Sequence, residues 1–220
     1  MSAGKKPIAP ILLGLGGAAA LFLFSRKSHA STGGARKHGV PMRLSRNFQL
    51  SEFLTSRDPD LSARLKGVKL TDSELANLKR LVSSILQPVR DEFGPVVITS
   101  GLRPLNIMSK QGWVDYLRKR GYHSASLHSD HFDGGGADFV LTGGDDTDYL
   151  EAAQLIASLP ATRQIILYYK TNAAGETVPQ HLHVGVVRSG KPKIRNPESY
   201  AFMMKDDKKF PGGTQTLLQE

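Results

Sequence analysis

Residues 129–140 read SDHFDGGGADFV, a stretch in which His131 and Asp138 are separated by six residues, four of them Asp133 and three glycines. Glycine enters backbone conformations closed to other residues, so this segment can fold back and bring both side chains to one point, which a regular strand would not permit. Further along, QHLHVGVV at 180–187 places His181 and His183 at alternate positions of a strand pattern, hence on one face. If the strand that begins at Asp138 lies beside the one carrying His183, a His, an Asp and a second His share a sheet face. Three such ligands leave a fourth position open, which is the arrangement of a catalytic rather than a structural metal site. The chain has no cysteine, so disulfides, thiolate ligands and cysteine nucleophiles are excluded, and a transition metal must be held by His and carboxylate.

The chain has 220 residues, enough for one domain of ordinary size with extensions. Its net charge of +9 is unevenly distributed. Lys5, Lys6, Arg26, Lys27, Arg36, Lys37, Arg43 and Arg46 lie in the first 46 residues with no acidic residue among them, and the rest of the chain is nearly neutral. These charges bracket PIAPILLGLGGAAALFLF, residues 7–24, an 18-residue run without a charge. A membrane segment with basic flanks explains both features, so no nucleic-acid partner is expected. A cleavable secretory signal is the alternative, with Lys5 and Lys6 as its basic start and Ser28 and Ala30 near a cleavage point. Arg26 and Lys27 fall where such a signal is uncharged, which favours an uncleaved anchor. The expected organisation is a membrane anchor or signal over 1–30, a basic flexible linker over 31–46, a folded domain over 47–190 and a C-terminal tail over 191–220.

Within the folded part, QLSEFLTS reads as a short amphipathic helix capped by Ser51. Thr71 and Glu74 form a capping-box pattern opening a long helix. Its apolar face comprises Leu75, Leu78, Leu81, Val82, Ile85, Val89 and Phe93, with Gly94 as the stop and Pro88 as a kink or break. PVVITSG reads as a strand, NIMSKQGWVDYLRKRG as a helix, GADFVLTG as a strand and DTDYLEAAQLIASL as a helix. RQIILYYK and QHLHVGVVR, joined by TNAAGETVP, read as a hairpin. Helices that precede and interrupt a group of strands predict an α+β fold, with a small, mostly antiparallel sheet packed with helices and the site on strands and the Gly-rich loop.

SDHFDGGGADF resembles the S-x-H-x-x-G-x-A-x-D-type signature of zinc D-Ala-D-Ala carboxypeptidases and related murein endopeptidases. Its serine, histidine, glycine and aspartate fall on Ser129, His131, Gly134 and Asp138, with Ala137 beside the aspartate, and the later H-V element falls on His183 and Val184. ITSGLRPLN is similar to that family's S-G-y-R-s-p-x-N block, and FQLSEFLTS to the segment that opens its domain. With the blocks in order over about residues 48–188, the resemblance is stronger than a single motif. It implies a zinc ion (Zn2+) held by His131, Asp138 and His183, and an Arg103 that receives a substrate carboxylate, a role for which a planar guanidinium is suited. Asn106 is then a turn or supporting residue, and Ser129 lies beside the substrate and orients the His131 loop.

One departure matters. Many members of that family carry a glutamate three residues before the last zinc histidine, and here that position is Gln180, which cannot titrate. His181 is the candidate for proton transfer or oxyanion stabilisation, and Glu176 is the second choice. His128 reads as a surface or supporting histidine, Asp133 as a turn former, and Tyr168 and Tyr169 serve core or site equally well.

Three functions of different class fit these residues. The first is a membrane-anchored zinc peptidase that cuts peptidoglycan stem peptides. The second is a catalytically weak or inactive zinc-containing module that binds cell wall. The third is a membrane-associated structural protein of a virion or secretion apparatus that retains the fold. Two basic residues precede the apolar run and six follow it, so the positive-inside rule holds the domain in the cytoplasm, away from peptidoglycan. A bacteriophage particle or lysis protein reconciles the two. The expected location is the cell envelope or a virion, or the exterior if the segment is cleaved.

Overall fold

The capping box at Thr71 forms as its residue types dictate. Thr71 Oγ1 accepts the Glu74 N–H at 3.2 Å, and a Glu74 carboxylate oxygen accepts the Thr71 N–H at 2.7 Å. Helix α2 (Asp72–Leu81) starts there, after a shorter helix α1 (Pro59–Lys66) that buries Leu61 and Leu65. At the end of α2 the ladder widens into a π turn over Val82–Leu86 before resuming as α3 (Gln87–Phe93). Pro88 accounts for this break, because it has no N–H to give and its ring collides with the carbonyl four residues back; a wider turn relieves both. Gly94, at φ +82°, ends the helix. Leu78, Leu81, Val82, Ile85, Leu86 and Val89 are fully buried, while Leu75 and Phe93 are half-buried at the margin of the same core.

The computed structural model describes residues 42–56, 59–122, 125–196, 200–205 and 208–209. The apolar run 7–24 and the linker as far as residue 41 lie outside the described residues. Among the described residues, no helix is long and apolar enough to cross a membrane.

The architecture is α+β. Strands β1 (Val96–Ser100), β2 (Gly136–Leu141), β3 (Thr162–Thr171), β4 (Thr177–Val186), β5 (Ala201–Lys205) and the two-residue β6 (Lys208–Lys209) form one sheet in the order β1-β2-β4-β3-β5-β6. All neighbours are antiparallel except β3 and β5. Helix α4 (Lys110–Arg118) is capped by Ser109 and buries Trp113, whose ring N–H donates to the Pro104 carbonyl at 3.2 Å. Helix α5 (Asp146–Ser158), capped by Asp145, packs on β3 and β4.

Strand periodicity then sorts the side chains between two faces. Phe139, Leu182, Val184, Ile165 and Leu167 point into the helix-covered core and are fully buried. The residues between them face the other way. Asp138 pairs with His183 across β2 and β4, Ser100 pairs with Asp138 across β1 and β2, and His183 pairs with Ile166 across β4 and β3.

Three local expectations change. QLSEFLTS is not a helix capped by Ser51 but a single 3-10 turn (Leu50–Phe53) capped from Gln49, whose N–H donates to Glu52 at 2.6 Å. The chain must leave that turn early, because the Phe53 carbonyl accepts the Leu102 N–H at 3.0 Å. Residues 42–46, placed in the linker, belong to the fold: Arg43 bridges Gln49, and Leu44 and Phe48 are buried. The segment placed in the tail supplies β5, and Tyr200, Ala201 and Met203 lie in the core.

Candidate metal centre

His131 sits in a 3-10 turn (Asp130–Asp133) between α4 and β2. Ser129 caps this turn, its hydroxyl accepting the His131 N–H at 3.4 Å. Gly134 ends it at φ +76°, and a side chain there would also press on the Glu74 carbonyl. The chain then enters β2, which sets Asp138 opposite His183 on β4.

The result is a buried convergence of three ligand atoms. His131 Nε2 lies 3.3 Å from Asp138 Oδ1 and 3.3 Å from His183 Nδ1, and His183 Nδ1 lies 2.7 Å from Asp138 Oδ1. Proton placement follows from the surroundings. His131 Nδ1 is 2.7 Å from the Gly101 carbonyl oxygen, which can only accept, so Nδ1 carries the hydrogen. Burial, reinforced by the Arg103 charge, holds the His131 imidazole below its ordinary pKa and therefore neutral near pH 7. Its Nε2 thus turns a lone pair toward a carboxylate oxygen at 3.3 Å. Burial opposes the charge on Asp138, but the two histidines outweigh it and hold the carboxyl well below the usual range. Lone pairs of two types facing one point, with only His183 able to place a proton among them, form a cation site. The triad is able to hold a metal ion.

Arg103 stands beside it. Its guanidinium donates to Ser129 Oγ and to Ser100 Oγ, both at 3.2 Å, and lies 3.8 Å from Asp138 Oδ2. The Arg103 N–H donates to the His131 carbonyl at 2.9 Å, so the 101–103 loop and the His131 turn are tied by backbone and side chain. The GLRP segment follows β1, and Gly101 is pressed against Phe53 so closely that an added Cβ would lie within 2.4 Å of the Phe53 carbonyl oxygen. Asn106 donates to the Lys69 carbonyl at 3.1 Å and braces the same loop from outside.

His181 lies one strand period from His183 on the same face, half-buried, with its ring stacked on Tyr168 at 4.3 Å and 15°. The pairing steps from Tyr168 opposite His181 to Tyr169 opposite Pro179, leaving Gln180 as the extra residue of a β-bulge, with its side chain exposed. Glu176 is in the hairpin turn, where Asn172 donates to its carboxylate at 2.9 Å. Seven residues of extended strand put it roughly 20 Å from His183. His128 is exposed, and it is held through its backbone: its carbonyl accepts from Lys191 at 2.9 Å and its N–H donates to Ser126 Oγ at 3.1 Å. Asp133 forms the expected turn by accepting the Gly135 N–H, and it also binds Arg188.

Sequence reasoning did not find the charges under the His131 turn. Asp130, only 2 % exposed, receives Arg188 at 2.9 Å, Arg163 at 2.8 Å and Lys191 at 3.4 Å. Gly135, Gly136 and Gly185 are the floor of this pocket: a Cβ on Gly135 would meet the Arg188 guanidinium at 2.2 Å, and one on Gly185 would meet Asp130 Oδ2 at 2.3 Å. The glycines after His131 therefore make room for buried charge as well as for a bend.

Comparison with protein-family models, with curated proteins and with solved structures finds no match to the chain. The fold and site define an α+β protein with a buried His–Asp–His centre able to take a metal ion.

Proposed function

We propose that the chain is a zinc-dependent peptidase acting on the stem peptides of peptidoglycan, of the D-Ala-D-Ala carboxypeptidase or murein endopeptidase type. The observation that carries this reading is the convergence of His131 Nε2, Asp138 Oδ1 and His183 Nδ1 next to the Arg103 guanidinium. Tetrahedral zinc with nitrogen and oxygen ligands at about 2.0–2.2 Å sets those ligands about 3.3–3.5 Å apart. Two of the three separations here are 3.3 Å, and the third is a 2.7 Å hydrogen bond whose proton a cation replaces. The substrate class comes from the likeness of ITSGLRPLN, SDHFDGGGADF and HLHV to the zinc murein peptidases.

A zinc ion held by this triad supplies Lewis acidity, polarising the scissile carbonyl and activating water. The chain's own residues do the rest. The Gly101 carbonyl fixes the His131 tautomer so that Nε2 faces the centre. Arg103, held by Ser100 and Ser129, receives a substrate carboxylate and orients the peptide. His181, braced by Tyr168, passes a proton to the departing amine. Residues 7–24 anchor the chain to a membrane of a cell envelope or virion.

A second reading is a catalytically weak or inactive cell-wall-binding module. It is favoured by what occupies the expected base position: Gln180, which cannot titrate, lies there in an exposed bulge, while Glu176 is away in the hairpin turn. Mass spectrometry of muropeptides incubated with the purified chain, with and without a chelator, separates the two. Chelator-sensitive cleavage restored by added zinc supports the peptidase. No cleavage, together with binding to sacculi, supports the module instead.

A further inference from the structure

We propose that Arg188 is a positioning residue of the metal centre, fixing the separation of its two histidine ligands; this rests on reading the triad as a zinc site. His131 and His183 belong to different elements, a 3-10 turn and strand β4, and no backbone ladder joins the turn itself to the strand. A single guanidinium spans them. Arg188 Nη2 donates to Asp130 Oδ1 at 2.9 Å and to Asp133 Oδ1 at 2.6 Å, which are the first and last residues of the turn that carries His131. Arg188 Nη1 donates to the Val186 carbonyl at 2.8 Å, at the end of the strand that carries His183. The Val186 N–H in turn donates to the Gly135 carbonyl at 2.8 Å. Both ends of the His131 turn are thereby stapled to the His183 strand by a side chain that is 2 % exposed.

Nothing about this staple is accidental in size. Gly135 leaves the space in which the guanidinium lies, since a Cβ there would meet Arg188 Cζ at 2.2 Å. Asp130 is further held by Arg163 and Lys191, so the carboxylate that Arg188 grips cannot swing away. A planar fork with several fixed donors can bind two carboxylates and a carbonyl together, whereas an ammonium cannot reproduce that geometry. A ligand set held at its metal-binding separation before the metal arrives loses less freedom on binding, which is why partners behind the ligands influence affinity.

The test is zinc affinity of the full chain, read by competition with a chromophoric chelator at a temperature far below unfolding. Arg188→Lys should weaken zinc binding by about 10- to 100-fold. Asp133→Ala, at a residue whose side chain is 42 % exposed and whose loss the fold should survive, should weaken it about tenfold, and it decides the question if Arg188→Lys does not fold. Val89→Ala, a fully buried core change on α3, serves as the control: it should lower the unfolding temperature and leave the affinity of the folded protein unchanged. Zinc binding by Arg188→Lys and Asp133→Ala as tight as that of the unaltered chain would overturn the proposal alone. Absence of zinc binding by the unaltered chain would overturn it together with the zinc peptidase reading.

Discussion

His131 Nδ1 donates to the Gly101 carbonyl oxygen at 2.7 Å, and that one bond decides which nitrogen of the ring faces Asp138 and His183. The carbonyl is itself held in place, because Gly101 lies against the Phe53 backbone and Leu102 donates to the Phe53 carbonyl. Gly101→Ala forces a Cβ to within 2.4 Å of a backbone oxygen that cannot move cheaply. The expected outcome is a stability loss of about 1–3 kcal/mol and a metal affinity lowered by at least about tenfold. Denaturant titration and chelator competition on the same protein measure both.

Each of His131→Ala, Asp138→Ala and His183→Ala should empty the centre, because three ligands leave no redundancy. His128→Ala should retain metal, as His128 is exposed and is held through its backbone N–H and carbonyl, which the substitution keeps. Elemental analysis after dialysis checks all four. Near-stoichiometric metal in His183→Ala would remove His183 from the site.

The triad was legible because the signals that mark its residues are local, although the β2–β4 pairing that unites them spans 45 residues. Alternation along HLHV puts His183 on a face, and the glycines after His131 announce an irregular backbone. The capping box at Thr71 and the break at Pro88 were legible for the same reason. What escaped depends on contacts across long separations. Strand β5, AFMMK, has no alternation and too few residues to declare itself, and it is defined by parallel pairing with β3. Helix α1 shows only Leu61 and Leu65 as a buried pair, too short a pattern to stand out. The Asp130 pocket draws its cations from positions 163, 188 and 191, and in the sequence each reads as an ordinary surface charge.

Asp130→Asn should cost about 3–5 kcal/mol, since it leaves a buried Arg188 and a half-buried Arg163 charged beside a neutral group. The same residue makes an acid prediction. Burial opposes ionisation of Asp130, but the Arg188 charge and hydrogen bonds, with His183 and Arg163 behind them, outweigh it, so its folded pKa lies below the ordinary carboxylate value. A carboxylate depressed on folding contributes stability that is fully present above its unfolded pKa of about 3.9 and is lost as pH falls through the folded value. Urea midpoints of the parent chain should therefore fall below about pH 4, and those of Asp130→Asn should fall less over that range.

Ending the chain at residue 196 should unfold or aggregate it. Strand β3 would lose its parallel neighbour and expose a row of unpaired backbone groups, while Tyr200, Ala201 and Met203 leave the core. A chain that starts at residue 40 should instead stay folded with its metal content unchanged, because the packing of Leu44 and Phe48 and the Arg43–Gln49 bridge are retained. Circular dichroism and elemental analysis of the two shortened chains distinguish these outcomes.

The proposed peptidase gives Arg103 and His181 different roles, and their losses should differ in kind. The Arg103 guanidinium is fixed by Ser100 and Ser129 and faces the second oxygen of Asp138, a placement suited to receiving a substrate carboxylate. Arg103→Ala should chiefly raise KM for substrates that carry that carboxylate and matter less when it is amidated. His181, on the strand face of His183 and stacked on Tyr168, is the proton-transfer group of the proposed peptidase. His181→Ala should chiefly lower kcat, by on the order of a hundredfold or more, with metal retained. Steady-state kinetics on muropeptides with free and amidated termini measures both. Full turnover by His181→Ala together with inactivity of Glu176→Ala would move the proton-transfer role to the hairpin turn, despite the roughly 20 Å of strand that separates Glu176 from His183.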